Sequence, residues 1–472
     1  LPLYSYSSLI SVVFSLKLRA MNTEDTICAI CTGVGGAISI IRIAGADALK
    51  VGRKVWRGQS ELNEKNVRKM LLGKIVLRDG STGDSALAVY MPGPNSYTGG
   101  DVVELHCHGG VLATRQTLDT ALQAGARAAE PGEFTFRAFV NGKMDLTQAE
   151  AVCDLITAHS DMALHLAERQ IQGKLSANIG ELREQLVDIL AESESRMDFA
   201  GEDLDWTDDS VFIDKIEGVG AKIAKLLESG REGIVLRNGI RVVLAGKPNT
   251  GKSSLLNLLL GFDRAIVTQV PGTTRDTLEE TANLRGIPVT LIDTAGIREA
   301  TDLIEGIGID RSRQSIKQAQ IVFWLLDASA GDLDAEIAEM NAHTVEKENL
   351  IAIWNKSDLV KGKILPDLPC PAIKISVLKS LNINDLLDLF EKAVWEFPHT
   401  EEPEIAVNAR HAKLLEEAIE ALPGAAMNLG DKDWELAAVH LRSAISALAS
   451  ITGEESDPDI LDNIFSRFCI GK

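Results

Sequence analysis

Gly246-Lys-Pro-Asn-Thr-Gly-Lys-Ser253 follows the short apolar run Arg241-Val-Val-Leu-Ala245 and precedes the apolar, helix-forming Ser254-Leu-Leu-Asn-Leu-Leu-Leu260. Strand, glycine loop and helix in that order make a phosphate cradle. The glycines let backbone N–H groups turn toward phosphate oxygens, and the helix N-terminus adds partial positive charge. In such a loop Lys252 reaches the β and γ phosphates and Ser253 holds magnesium, with Asn249, Thr250, Gly251 and Ser254 completing the cradle. Taken alone, the pattern also describes an ordinary glycine turn before a helix, so the reading depends on what lies downstream.

Downstream, the segments fall in the order a GTPase requires. Val289-Thr-Leu-Ile-Asp293-Thr-Ala-Gly296 is a strand ending in an acid and a glycine. Asp293 reaches magnesium through water, Thr294 and Ala295 continue the loop, and the Gly296 N–H senses the γ-phosphate. Ile321-Val-Phe-Trp-Leu-Leu-Asp327 and Leu350-Ile-Ala-Ile-Trp354 are further apolar strands, the second leading into Asn355-Lys-Ser-Asp358. A carboxylate accepts two hydrogen bonds and so matches the N1–H and exocyclic amine of guanine. Adenine has no such donor pair, and Asp358 therefore points to GTP, with Asn355 and Lys356 beside it. Between the first loop and Asp293 lies Gly272-Thr-Thr-Arg-Asp276, where Thr274 is expected to complete the magnesium shell. Ile297 follows Gly296 at the place where Ras-like enzymes carry a water-orienting glutamine. Isoleucine cannot hold water, so the chemistry of the residues leaves Glu299, Asp302 and Glu305 as candidates and does not choose among them.

The rest of the chain reads as two further kinds of structure. Residues 22–140 mix short apolar strands (Ala37–Ile41, Lys74–Leu77, Ala86–Tyr90, Val102–Leu105) with a helix near 111–124, an α+β pattern. Leu146–Met197 and 211–231 have helical periodicity, and helices return at 404–423 and 432–451. The alternating G-domain pattern occupies 238–398. The late helices have little core of their own, so the helices on either side should pack together with the G domain inserted between them. The expected fold is multidomain α/β: 1–21 an extension, 22–140 an N-terminal α+β domain, 141–235 and 400–472 the two parts of a discontinuous helical domain, and 236–399 an inserted P-loop, Ras-like G domain.

Composition limits the function. With 472 residues, 45% hydrophobic, the chain has room for several domains. A formal charge of −20 argues against a surface that grips nucleic acid electrostatically unaided, so a partner or local patch would have to hold it. Six cysteines in a chain this long make no disulfide scaffold, and Cys28 with Cys31 reads as a pair of buried thiols. In His106-Cys107-His108, neighbours on a strand point to opposite faces, which disfavours a metal site. Leu1–Ala20 is apolar, Ser-containing and free of acids, with Lys17 and Arg19 after its apolar stretch. It is expected to be an upstream extension, with a mitochondrial presequence the rival reading. No later stretch is long and apolar enough to cross a membrane, and the expected location is cytoplasmic.

The chain resembles the MnmE (TrmE) family of tRNA-modification GTPases from about Thr23 to Lys472. The resemblance is carried by Pro92-Gly-Pro-Asn-Ser-Tyr-Thr-Gly99, His108-Gly-Gly110, Pro131-Gly-Glu-Phe134, Arg137-Ala-Phe139, Lys143-Met-Asp-Leu-Thr-Gln-Ala-Glu150, the G motifs and the terminal Phe468-Cys-Ile-Gly-Lys472. It implies that the N-terminal domain binds 5-formyltetrahydrofolate or a related one-carbon donor through Arg42, Glu104, Lys143 and Lys472, and makes a homodimer. It implies a potassium ion at Asn249, surrounded by Thr268, Val270 and Thr273, in place of an arginine finger. It selects Glu305 as the water-orienting acid and puts Ser376 behind the guanine base. Cys469 is a candidate nucleophile, with a structural thiol the equal alternative. The partner implied is an FAD protein of the MnmG type, and the substrate a wobble uridine of certain tRNAs, which receives a carboxymethylaminomethyl or aminomethyl group. Two departures stand out: Val34, where relatives often carry arginine, and Ser376-Val-Leu378, where serine–alanine is usual. The competing classes are a ribosome-assembly or signalling switch of the Era or Der type, and a folate-dependent transferase that uses GTP only for control.

Overall fold

The computed structural model describes residues 25–158, 160–199, 206–262, 279–293, 316, 319–343, 350–360, 364–395, 405 and 407–472. The chain divides into two compact units, Leu1–Cys153 with Gln170–Ala221 and Lys413–Lys472, and Asp154–Arg169 with Lys222–Ala412.

The first unit begins with a seven-stranded sheet. In chain order its strands are β1 (Ile27–Ile30), β2 (Ile38–Ala44), β3 (Trp56–Gly58), β4 (Leu71–Val76), β5 (Thr82–Met91), β6 (Val102–His108) and β7 (Arg127–Ala128). They lie in the spatial order β3-β4-β5-β6-β2-β1-β7. Alternation along β2 and β6 buries Ile41, Ile43, Val103, Leu105 and Cys107 on one face under the helices Ala48–Val55 and Val111–Gln123. The same alternation sends Arg42, Glu104 and His106 to the other face. Four strands match sequence expectation to within a few residues. The strands β3 and β7 and the helices Ala48–Val55 and Glu133–Val140 do not announce themselves, being eight residues or shorter.

The helical part of this unit joins segments from both sides of the G domain. Lys174–Asp198 packs along Trp434–Thr452, and ion pairs tie Arg442 to Glu194 at 2.6 Å and Arg183 to Glu454 at 3.2 Å. The helix Ala409–Gly430 continues past Pro423, where the sequence pattern placed its end. Proline removes one N–H from the helix ladder. The turn is retained because Leu422, Ala425 and Leu429 are all buried, and Gly424 lets the His440 ring approach to where a Cβ would stand 2.7 Å away. A last helix, Pro458–Phe465, brings Phe465 and Phe468 against Phe136, with Phe136 and Phe465 edge to face at 5.2 Å.

The second unit holds a six-stranded sheet: β8 (Ile240–Gly246), β9 (Glu279–Leu284), β10 (Ile287–Asp293), β11 (Ile321–Asp327), β12 (Leu350–Asn355) and β13 (Ala372–Lys374), in the order β13-β12-β11-β8-β10-β9. Five strands are parallel, and β9 is antiparallel to β10 at the edge. Helices cover the parallel strands, so these read as unbroken apolar runs; every residue from Ile321 to Leu326 is buried. β9, reading Glu-Glu-Thr-Ala-Asn-Leu, has no such run and was not visible in the sequence. Leu166, from the helix Asp161–Ile171, is buried in this unit's core with Val242, Leu255 and Leu291.

Candidate functional site

β8 lies between β10 and β11, so consecutive connections leave it in opposite directions. The crevice at the C-terminal end of such a strand is where open parallel sheets bind ligands. The loop Gly246–Ser253 occupies it, followed by the helix Lys252–Phe262. Two glycines are required there. Gly246 has φ +134°, and a Cβ would stand 2.3 Å from the Leu325 carbonyl oxygen; Gly251 has φ +99°, and a Cβ would stand 2.3 Å from Asn355 Nδ2. Asn249 adopts φ +62° at the exposed tip of the loop.

Within the loop, Lys252 is buried and its Nζ donates to the carbonyls of Gly246 at 2.9 Å and Lys247 at 2.7 Å. Thr250 Oγ1 donates to the same Lys247 carbonyl at 2.9 Å. Ser253 Oγ donates to Asp293 Oδ2 at 2.7 Å, so the hydroxyl from the loop helix and the carboxylate ending β10 form one oxygen cluster. Hard oxygen donors of this kind suit magnesium. Ser254 is exposed in the first turn of the helix.

The segment Asn355–Asp358 is fastened to this loop. Asn355 is buried; its Nδ2 donates to the Thr250 carbonyl at 2.8 Å, and its Oδ1 accepts from Val377 N at 3.1 Å. Ser376, fully buried, donates from Oγ to Asp358 Oδ1 at 2.7 Å. That hydrogen bond holds the Asp358 carboxyl below its ordinary range, leaving an ionised acceptor at neutral pH. Lys356 Nζ meets Asp327 Oδ2 at 2.5 Å. Leu378, the departure noted in the sequence, is 88% exposed.

Three residues join the cluster that sequence reading left unassigned. Lys247 lies inside the quoted loop, Asp327 ends an apolar strand, and Glu336 is in the first turn of the helix Leu333–His343. Lys247 Nζ pairs with Glu336 Oε1 at 2.9 Å, an interaction that raises the lysine's pKa above its usual value. Asp327 and Lys247 stood in stretches already singled out. Glu336 reads like any surface helix acid, and no sequence signal distinguishes it.

In the first unit, Arg42 and Glu104 face each other across β2 and β6, with Arg42 Nε 2.9 Å from Glu104 Oε1. Glu104 Oε2 lies 3.3 Å from His106 Nε2. Burial pushes the Glu104 carboxyl up, but the His106 hydrogen bond and the Arg42 charge outweigh it and the net shift is downward. The Arg42 guanidinium lies over the rings of Tyr97 and Phe134, 5.1 and 5.5 Å from their centroids. The C-terminus reaches this domain, since the Lys472 carbonyl accepts from Phe134 N at 3.2 Å. Lys143 packs on Gly99, and Cys469 is an exposed free thiol. Arg42 and Glu104 thus form an ion pair on one sheet face, with the Tyr97 ring and the buried Phe134 ring packed on the guanidinium. Thr268, Val270, Thr273, Thr274, Thr294, Ala295, Gly296 and Glu305 lie outside the described residues.

Two family models match the chain, the MnmE helical domain over residues 146–469 and the GTP-binding protein TrmE N-terminus over residues 26–143. Full-length relatives are similar throughout. The tRNA modification GTPase MnmE of Natranaerobius thermophilus is 41% identical over 460 residues, which is 95% of this chain and 100% of the relative. The protein of the same name from Clostridioides difficile is 40% identical over 464 residues, 96% of this chain and 100% of the relative. That of Symbiobacterium thermophilum is 43% identical over 462 residues, 95% and 100%.

Proposed function

The chain belongs to the MnmE family of tRNA modification GTPases, and from that premise we propose that it hydrolyses GTP, activated by potassium, to drive modification of the wobble uridine of certain tRNAs. The observation that carries the nucleotide part is the joining of Lys252, Ser253, Asp293, Asn355 and Asp358 around one loop at the switch point of the parallel sheet. Lys252 and the loop N–H groups hold the β and γ phosphates. Ser253 and Thr274 would hold magnesium together with Asp293, and the ion when bound would offset charge on the phosphates. Asp358 accepts the guanine donors while Ser376 keeps it ionised and aimed. Asn249, Thr268, Val270 and Thr273 hold potassium, which when bound supplies positive charge toward the phosphates. Glu305 orients the attacking water, directly or through a second water.

Arg42, Glu104, Lys143 and Lys472 bind a tetrahydrofolate, which supplies the one-carbon unit for the aminomethyl group. A homodimer forms through the N-terminal domain; in support, the open face of its sheet exposes Ile38 at 61% and Leu72 at 71%. An FAD protein of the MnmG type and tRNA are the partners, and the formal charge of −20 favours sharing the tRNA contact with that partner. Hydrolysis moves the G domains of the dimer between open and closed states.

Steady-state GTP hydrolysis in potassium and in sodium chloride at equal ionic strength tests the potassium-activated reading. Potassium should accelerate turnover by roughly tenfold or more, and Asn249→Ala should remove the difference. Equal rates in the two salts would refute it.

A further inference from the structure

Lys247 is the second residue of the phosphate loop, and its side chain leaves the loop for the helix Leu333–His343. There its ammonium donates to Glu336 at 2.9 Å and to the Ala335 carbonyl at 3.1 Å, with Glu339 at 3.7 Å. Glu336 is 7% exposed and sits in the helix's first turn, where the helix N-terminus favours an anion; Asp332 caps that turn by accepting from Ala335 N at 3.0 Å. The other oxygen of Glu336 accepts from the backbone N–H of Asp327 at 3.4 Å. Asp327 in turn grips Lys356 of the base-reading segment. One buried carboxylate thus touches both the phosphate loop and the strand end that anchors the base-reading loop. The linkage extends inward, because the Lys247 carbonyl is the acceptor shared by Lys252 Nζ and Thr250 Oγ1.

We propose that Glu336 is a positioning residue for nucleotide binding: through Lys247 it fixes the loop carbonyl that aims Lys252, and through Asp327 it holds the guanine-reading loop in register with the phosphate loop. The proposal rests on the GTPase reading above. Glu336 acts through Lys247 and Asp327, so its effect should fall on affinity for GDP and GTP alike. A hydrogen bond between charged groups, partly buried, is large enough to matter, and losing one partner leaves the other charge uncompensated.

The test uses the full-length protein with Glu336→Gln, Glu336→Ala, Lys247→Met, Lys247→Arg and the double Glu336→Gln/Lys247→Met. Dissociation constants are measured with fluorescent GDP and a non-hydrolysable GTP analogue, beside kcat, KM and thermal melting. Glu336→Gln and Lys247→Met should each weaken GDP and the GTP analogue by about tenfold and to the same extent. The double variant should be no weaker than either single, and Lys247→Arg should restore affinity. Glu336→Gln keeps the side-chain shape and decides the matter if Glu336→Ala does not fold. Lower melting temperatures with unaltered dissociation constants would overturn the proposal, making the pair a structural brace only. So would losses that multiply in the double variant. If the wild-type protein itself bound no GTP, the GTPase reading would fall and this one with it; unaltered variants of a GTP-hydrolysing wild type overturn this one alone.

Discussion

In the proposed GTP site, base specificity rests on one residue, Asp358. Its carboxylate accepts from Ser376 and stays ionised, with its side chain only 6% exposed. Replacing it by asparagine exchanges one acceptor for a donor pair facing the guanine N–H groups. Asp358→Asn should lose ~100-fold or more in GTP affinity and gain affinity for xanthosine triphosphate, whose 2-oxo group accepts where guanine donates; competition binding checks both arms. Asp358 was legible because Asn355-Lys-Ser-Asp358 is contiguous and follows an apolar strand. The partners that hold the site were not. Glu336 and Lys247 are far apart in sequence, and an ion pair between distant residues leaves no local pattern. The packing of Tyr97 and Phe134 on the Arg42 guanidinium likewise leaves no local pattern, because the three residues come from separate segments.

Among the elements, the phosphate loop and the short helix Glu133–Val140 carry opposite lessons. The loop was legible because its glycines are forced: Gly251 has φ +99° and faces Asn355. Gly251→Ala combines left-handed backbone strain with a clash against Asn355, and should cost about 1–3 kcal/mol of G-domain stability and most nucleotide binding, by chemical denaturation and equilibrium titration. Glu133–Val140 is too short to show a helical period and is fixed by tertiary partners instead. Arg137, 3% exposed, bonds Asp25 at 2.6 Å and Glu133 at 2.8 Å, and Arg127 joins both acids. Burial alone would raise the pKa values of Asp25 and Glu133, but the arginine hydrogen bonds outweigh it and both are lowered. The folded state therefore binds these protons less readily than the unfolded chain. Their stabilisation is fully present above about pH 5, beyond the unfolded values of both acids, and is lost as pH falls through the lowered values. Arg137→Met should destabilise the N-terminal domain by roughly 3–5 kcal/mol at neutral pH and flatten the acid limb of its stability curve. A variant whose acid limb matches the wild type would contradict this.

At the level of the whole molecule, the C-terminal residues matter more than their number indicates. The last helix packs Phe465 and Phe468 on Phe136, and Lys472 closes against Phe134, beside Arg42. Removing Cys469–Lys472 should abolish tetrahydrofolate binding by calorimetry while GTP hydrolysis persists; loss of both together would mean that the tail serves folding. The alternation of strand and helix and the return of helices after Pro403 made the inserted G domain legible. The helical part was less so: its helices pack with segments hundreds of residues away, and Pro423 sits inside a helix because its neighbours are buried. The central claim is that GTP hydrolysis by this chain drives wobble-uridine modification. Mass analysis of tRNA nucleosides from cells lacking the gene, complemented with the wild type or with Lys252→Ala, tests it most directly. The C5-aminomethyl-type uridine should disappear in the deletion, return with the wild type and stay absent with Lys252→Ala; an unchanged wobble uridine in the deletion strain would contradict this role.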